Sequence, residues 1–549
     1  MIKREIQKLE KDVFDILIIG AGVSGAAIAW DSALRGLKVA LIEKNDFGHA
    51  TSSATSKLIH GGLRYLKNFE FKVVRESLRE RRYLLENIPH LAFPLPFLIP
   101  VYKNSSTPKW LLKIGLTVYD FLSYDRNFLK DSSKKIPRHK WYSREDALAM
   151  EPGLNSEQLL GAYCYYDVQD IFPERANMEY ILSAGNQGAV IANYMEAEDF
   201  IYDSSKKKVS GVIARDLISN KTISINARVT VNATGPWGDV LLKKITPRPA
   251  RTLVHSKGIH LIVPRIQKDR AITIETRTGE HIFILPWLNY TLLGTTDSAY
   301  NGPLDHIQVS KKEALEFLEA VNSCYPIDLK KIKILHAYAG VRPLVSASKT
   351  QVKTYNLSRK EEAFNHLKKE KISGLYSVFG GKWTTSRALA EKTVNDIIKT
   401  YSFKRAPCNT TTTPLSGESS TLLFYDFATK QISKYKNKIP GELLNHWIQY
   451  YGMHLDNVIK IYLSDPSMQK IVPGYNMIST ADIIYSIRYE MALKLEDFLM
   501  RRSIAGNIGM PDKKSLEFIA SVMSKELKWN KKDKESMITK YIKNHSLQK

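Results

Sequence analysis

The stretch "DILIIGAGVSGAAIAW", Asp15 to Trp30, decides the fold. An apolar run stops abruptly at Gly20-Ala21-Gly22-Val23-Ser24-Gly25, and small residues follow at once. A strand over Phe14 to Ile19, a tight turn and a helix reaching Ala33 account for that pattern. In this reading Gly20 permits the turn, Gly22 lets backbone approach a pyrophosphate, and Gly25 lets the helix pack close to the sheet. The helix N-terminus offers N–H groups and a positive dipole end to phosphates. "KVALIE" (Lys38 to Glu43) makes a second strand, and Glu43 closes it about 20 residues past the motif, where a carboxylate takes ribose hydroxyls. The stretch predicts a dinucleotide site in an α/β sheet.

Farther along, "VTVNATGPWG" (Val229 to Gly238) reads as a strand ending in Ala233-Thr234-Gly235. Two-domain flavoproteins bring such a returning strand under the cofactor, so this pattern favours FAD over NAD. The chain of 549 residues is long enough for two or three domains. Residues 1–402 mix β-branched runs with amphipathic helical stretches, and FAD-binding and substrate domains are expected to interleave there. The polar segment 403–420, rich in Thr, Pro and Ser, reads as a linker. Residues 421–549 read as a helical domain. Within it Ser479 to Asp482 predicts a capping box. Ile484, Ile487, Met491, Leu495 and Phe498 extend the helical spacing toward Arg501, Arg502 and Gly506, read as the C-terminal end of one helix.

Cys164, Cys324 and Cys408 stand far apart in no ligand-like spacing, which argues against a disulfide framework or a metal site. The charged start lacks a signal-peptide core, and no apolar run reaches the roughly 18 residues a spanning helix needs. A cytoplasmic protein is expected. The net charge of +24 fits an anionic partner, or a lysine-rich solvated surface.

At "TSSATSKLIHGGLRYL" (Thr51 to Leu66) the sequence resembles FAD-dependent glycerol-3-phosphate dehydrogenases of the aerobic, quinone-linked kind. "NATGPW" (Asn232 to Trp237), "GTTD" (Gly294 to Asp297), "GVRPL" (Gly340 to Leu344) and "FGGKWTTSR" (Phe379 to Arg387) extend the resemblance in order. It implies an α/β flavoprotein of the D-amino-acid-oxidase-like type: a Rossmann-like FAD domain, a mixed-sheet substrate domain and a helical C-terminal cap. It further implies noncovalent FAD, oxidation of sn-glycerol 3-phosphate to dihydroxyacetone phosphate, and electrons passed to a membrane quinone. That places the protein peripherally on the cytoplasmic face of the membrane, against acidic lipid, with a homodimer compatible. The chain departs from the family's usual pattern at "DVQDIFPERAN" (Asp167 to Asn177) and at Trp383, where a smaller apolar residue is more usual.

Such a reaction needs a bound anion, a proton acceptor and positive charge near the flavin. Arg64 and Arg342 are the candidates for the phosphate, their planar forks matching its oxygens. Tyr65 adds a hydroxyl. Lys382, on the Gly380-Gly381 turn, is placed by the resemblance at substrate and flavin. His260, following Lys257-Gly258, is the candidate base, with His60 and a bound water as rivals. His260, Arg342 and Lys382 form the candidate catalytic set. Cofactor contacts are expected from Gly20, Gly22, Gly25, Glu43, Ser52, Ser53, Ser56, Lys57, His60, Gly61, Gly62, Ala233, Thr234, Gly235, Gly381 and Lys382. His49 raises the question of covalent attachment, which the resemblance argues against.

"PKWLLKIGLTVYDFL" (Pro108 to Leu122) suits either a helix lying in a membrane interface or, the reading favoured here, an ordinary buried helix of the substrate domain. An oxidase that passes electrons to oxygen is the near alternative. An FAD-containing RNA-binding or RNA-modifying protein is the alternative suggested by charge, but no RNA-recognition motif accompanies it, and no nucleic acid is expected as a partner.

Overall fold

The computed structural model describes residues 2–245, 252–276, 281–328, 331–346, 361–415 and 423–547. Strand Val13–Ile19 forms as read, because its apolar residues are buried on both faces of a parallel sheet. It pairs in parallel with Val39–Ile42 on one side and Thr222–Asn232 on the other. Leu375–Phe379 and Val190–Ala192 extend the parallel sheet outward. Ile19 lies beside both Asn232 and Ile42, so three strand ends meet at the glycine turn. The helix Val23–Leu34 follows at once and is almost wholly buried, its alanines letting Pro173–Asn186 and Ser386–Tyr401 pack close.

A second, mostly antiparallel sheet stands beside the first. Its longest pairings join Ala92–Tyr102 to Leu159–Asp170, and Thr252–Pro264 to His336–Ser346. Each face of this sheet has its own apolar core. The mixed-sheet substrate domain expected from the sequence is therefore present, interleaved with the nucleotide sheet.

The C-terminal region is helical, and its core is continuous with that of the nucleotide domain: Trp447, Tyr451 and Phe498 share one cluster with Trp30 and Tyr180. Part of the expected linker is packed rather than loose. Asn87 Nδ2 donates to the Thr410 carbonyl at 3.0 Å, and Leu415 is buried. The remainder of that segment lies outside the described residues.

Two expectations are corrected. The capping box at Ser479 and Asp482 is present, but its helix ends at Glu490, where Met491 turns left-handed at φ 55°. Leu495 and Phe498 belong to later, separate turns, and Arg501 and Arg502 are buried in the second of these instead of closing the helix that starts at Thr480. The helix Lys109–Leu122 buries only Leu116 and Tyr119 fully; Trp110 is 64% exposed and Phe121 75%. The reading of an ordinary buried helix fails, because only part of its apolar circumference finds a covering element. No described helix is long and apolar enough to cross a membrane.

Candidate active site

One cavity of about 1360 Å³ runs from the glycine turn, past the second sheet, to the Lys109–Leu122 helix. At its inner end Gly20 adopts φ +99°, and a Cβ there would lie 2.6 Å from the Ala233 carbonyl oxygen. A Cβ on Gly25 would meet the Gly20 carbonyl oxygen at 1.9 Å. These two glycines serve close packing of turn, helix and returning strand. Gly22 differs: it faces the cavity, with Ser52 Oγ as the near neighbour of a Cβ. Gly22, the N-cap of the helix, brings no side chain of its own, and the Val23 N–H donates to Ser52 Oγ at 2.9 Å. Glu43 accepts from the Ala21 and Asn45 N–H groups at 2.8 and 2.9 Å. Burial raises its pKa against those bonds. A helix N-terminus, a bare glycine and an anchored carboxylate fit a dinucleotide pyrophosphate and ribose.

The segment after Glu43 divides the expected contacts. Ser52 and Ser56 line the cavity, whereas Ser53 Oγ turns back to donate to the Gly48 carbonyl. The Lys57 ammonium is buried 3.0 Å from Glu174 Oε1 and lies over the Trp287 ring, off the cavity wall. His49 also lies off the wall, with Nδ1 3.9 Å from Glu496. Ala233 and Gly235 border the cavity, while the Thr234 hydroxyl turns to Asn232 Oδ1 at 2.6 Å.

The Gly61-Gly62 turn is fixed from behind. The Gly61 N–H lies 3.0 Å from Tyr119 Oη and 3.2 Å from Asp167 Oδ1, and Arg81 holds that same carboxylate. Gly62 has φ +79°, and a Cβ there would collide with the Tyr65 ring and approach Lys382 Nζ. Lys382 Nζ sits 3.9 Å from the Tyr65 ring centroid and donates to Ser77 Oγ at 3.1 Å. The Arg64 guanidinium lies on the same ring at 5.1 Å. Arg64, His60, Gly62, Gly381 and Lys382 all border the cavity, with buried Tyr65 as the platform between the two cations.

On the same cavity, two strands make a wall whose register explains its chemistry. Ser256 pairs with Arg342, Gly258 with Gly340, and His260 with Tyr338. Residues two apart share a face, so these side chains and the glycine gap alternate along one surface. A Cβ on Gly258 would lie 2.3 Å from Arg342 Nη2, so that glycine makes room for the guanidinium. Arg342 donates to Thr295 Oγ1 at 2.9 Å and Ser256 Oγ at 3.3 Å, with the Asp297 carboxylate 3.8 Å away. His260 stacks on Tyr338 at 4.9 Å, and its Nε2 lies 2.8 Å from Ser56 Oγ. Burial, then the positive charges of Arg342 and Lys57, push its pKa well below 6.5. The imidazole is neutral at physiological pH.

The sequence offered no role for Ser256, Asp297, Tyr338, Ser77 or the Asp167–Arg81–Tyr119 group. Spacing held a signal for two of them: Ser256 precedes His260 by four, and Tyr338 precedes Arg342 by four, same-face positions in a strand. Asp167 heads the stretch that departs from the family pattern, and it supports the Gly61 turn. Trp383, the other departure, lines the cavity.

A dinucleotide cradle under a returning strand, opening onto an antiparallel sheet that carries an arginine and a histidine, defines an FAD-dependent oxidoreductase. The sequence profile described as FAD dependent oxidoreductase matches residues 15–394, and that of the C-terminal domain of alpha-glycerophosphate oxidase matches residues 408–534. The chain is 31% identical to a glycerol-3-phosphate dehydrogenase of Synechocystis sp. over 98% of its own length and 97% of the relative's. It is 33% identical to the aerobic glycerol-3-phosphate dehydrogenase of Staphylococcus haemolyticus, covering 91% and 89%. The glycerol-3-phosphate dehydrogenase of Bacillus halodurans, solved with FAD, superposes with a TM-score of 0.78 at 26% identity, covering 98% and 96%. The chain belongs to the FAD-dependent glycerol-3-phosphate dehydrogenase family. Its cofactor is FAD.

Proposed function

We propose that the protein oxidises sn-glycerol 3-phosphate to dihydroxyacetone phosphate and passes the electrons to a membrane quinone. The observation that carries this reading is the Arg342–His260 wall, facing a cavity that also holds Arg64 and Lys382. Bound FAD supplies the acceptor for the hydride of a secondary alcohol. Arg342, oriented by Thr295, Ser256 and Asp297, binds the phosphate with Arg64. Each charge-assisted bond of this kind contributes roughly 1.5–3 kcal/mol. His260, held flat by Tyr338, accepts the hydroxyl proton at Nε2 through its Ser56 contact. The Lys382 ammonium stabilises negative charge that gathers in the cavity during transfer. Gly22, Val23 and Ser52 take the pyrophosphate, and Glu43 the ribose.

The quinone part of the proposal draws on the Lys109–Leu122 helix. Leu111, Leu112, Ile114 and Val118 border the same cavity, while Trp110 and Phe121 face outward beside Lys109 and Lys113. That arrangement suits a helix resting in an acidic lipid interface, with an apolar acceptor entering beneath it. Oxygen as acceptor is the second reading, favoured by the oxidase-type C-terminal profile at residues 408–534. An anaerobic spectrum during addition of sn-glycerol 3-phosphate, with glycerol as control, tests the substrate. Bleaching of the flavin band by the phosphorylated compound alone is expected, and equal bleaching by glycerol would remove the phosphate assignment. Stopped-flow reoxidation by a quinone against oxygen then separates the two acceptors.

A further inference from the structure

The cap domain reaches into the nucleotide site by a route that none of the expected cofactor residues uses. Asp46, two residues before Gly48, is wholly buried. Its Oδ2 accepts from Arg501 Nε at 2.5 Å and Arg502 Nη1 at 2.9 Å, and its Oδ1 accepts from Arg502 Nη2 at 2.9 Å. Asn193 adds a bond from Nδ2 to Oδ1 at 3.2 Å. On the other side, the Gly48 N–H donates to the Ala21 carbonyl at 3.0 Å, at the centre of the glycine turn. Gly48 adopts φ +68° and carries the carbonyl that anchors Ser53. The same segment delivers Ser52 to the Val23 N–H. The path from the cap arginines to the turn that cradles the pyrophosphate is thus Asp46, Gly48, Ala21, with every step a hydrogen bond or one short span of chain.

The arginines are themselves fixed by the cap. Arg501 Nη2 donates to Asp497 Oδ1 at 3.0 Å, and Arg502 Nη2 to the Glu490 carbonyl at 3.0 Å. The left-handed break at Met491, with the irregular turn Phe498–Arg502, directs both side chains inward. A buried carboxylate that loses its guanidinium partners carries an uncompensated charge, and the chain around it must move to reach water.

We propose that Arg501 and Arg502 are positioning residues for FAD: by clamping Asp46 they hold the 44–53 segment and the glycine turn in the geometry that binds the cofactor, so cap docking and FAD affinity are coupled. The coupling is reciprocal, and FAD must stabilise the docked cap as much as the cap tightens FAD.

The test measures FAD binding to the full-length apoprotein by flavin fluorescence, beside its melting temperature. Arg502→Met is compared with Leu516→Ala, a cavity in the cap core at a residue outside the hydrogen bonds of Asp46. Coupling of ordinary size predicts a rise of about tenfold or more in the FAD dissociation constant of Arg502→Met, beyond any rise in Leu516→Ala at equal loss of melting temperature. Equal FAD affinity in the two variants at equal melting loss overturns the proposal. Should Arg502→Met fail to fold, hydrogen exchange on the unmutated protein decides. FAD is expected to slow exchange in both 44–53 and 497–503; protection confined to 44–53 overturns the coupling.

Discussion

Two groups of arginines in this molecule meet different partners, one beneath the cap and one on the cavity wall. At the cap interface Arg175, Arg501 and Arg502 are met directly by carboxylates: Glu179 and Glu490, Asp46 and Asp497. At the cavity wall the described bonds of Arg342 run to the hydroxyls of Thr295 and Ser256 and the Thr296 carbonyl, with Asp297 farther off at 3.8 Å. Hydroxyls and carbonyls orient a guanidinium without neutralising it, whereas a carboxylate at bonding distance does both. The first group is committed to holding two domains together. The second lies on the cavity wall, where the proposed function gives it the substrate phosphate.

The largest effect that probes this contrast is on stability. Arg175 is fully buried between Glu179 and Glu490, so Arg175→Met takes the nearest cation from two buried carboxylates, leaving Glu490 with Arg502 Nε at 3.7 Å and Glu179 with two histidines. A loss of about 3–5 kcal/mol is expected, read as a lower denaturant midpoint. A change below about 1 kcal/mol would show that the cap network is not what ties the domains. Arg342→Ala should do the reverse. Its kcat/KM for glycerol 3-phosphate should fall roughly 10- to 100-fold, the loss of one or two charged hydrogen bonds, with FAD still bound. Unchanged kinetics, or a fall matched by a collapse in stability, would place Arg342 with the structural arginines.

How far the sequence could reveal these two groups follows from how local their signals are. The glycine turn, Glu43 and the strand ending at Asn232 were readable because turn chemistry and short apolar runs act within a few residues. The capping box at Ser479 was readable for the same reason. The stop at Met491 was not: no glycine or proline marks it, and Leu495 and Phe498 keep helical spacing because they enter the same core after the break. Arg501 and Arg502 suited a helix end by charge, but their partner Asp46 lies about 455 residues earlier, beyond any local pattern. The pairing of His260 with Tyr338 and of Ser256 with Arg342 depends on long-range strand register. The Lys109–Leu122 helix shows the limit of composition, since apolar residues identify a face without saying what covers it.

The finest test joins Arg342 to its neighbour. Burial, then the charges of Arg342 and Lys57, hold the His260 pKa well below 6.5. A base must be unprotonated, so activity through His260 is complete above that depressed pKa and is lost as pH falls through it. The acid limb of kcat/KM, followed from about pH 5 to about pH 8, should therefore lie well below 6.5. A limb at 6.5 or higher would remove His260 as the base. In Arg342→Ala, measured on its residual activity, one of the depressing charges is gone, and the limb should move upward. A limb that stays in place would mean that Asp297, 3.8 Å from Arg342, already cancels its charge toward His260. The cavity arginine would then be as neutralised as those beneath the cap, and the distinction between the two groups would rest on position alone.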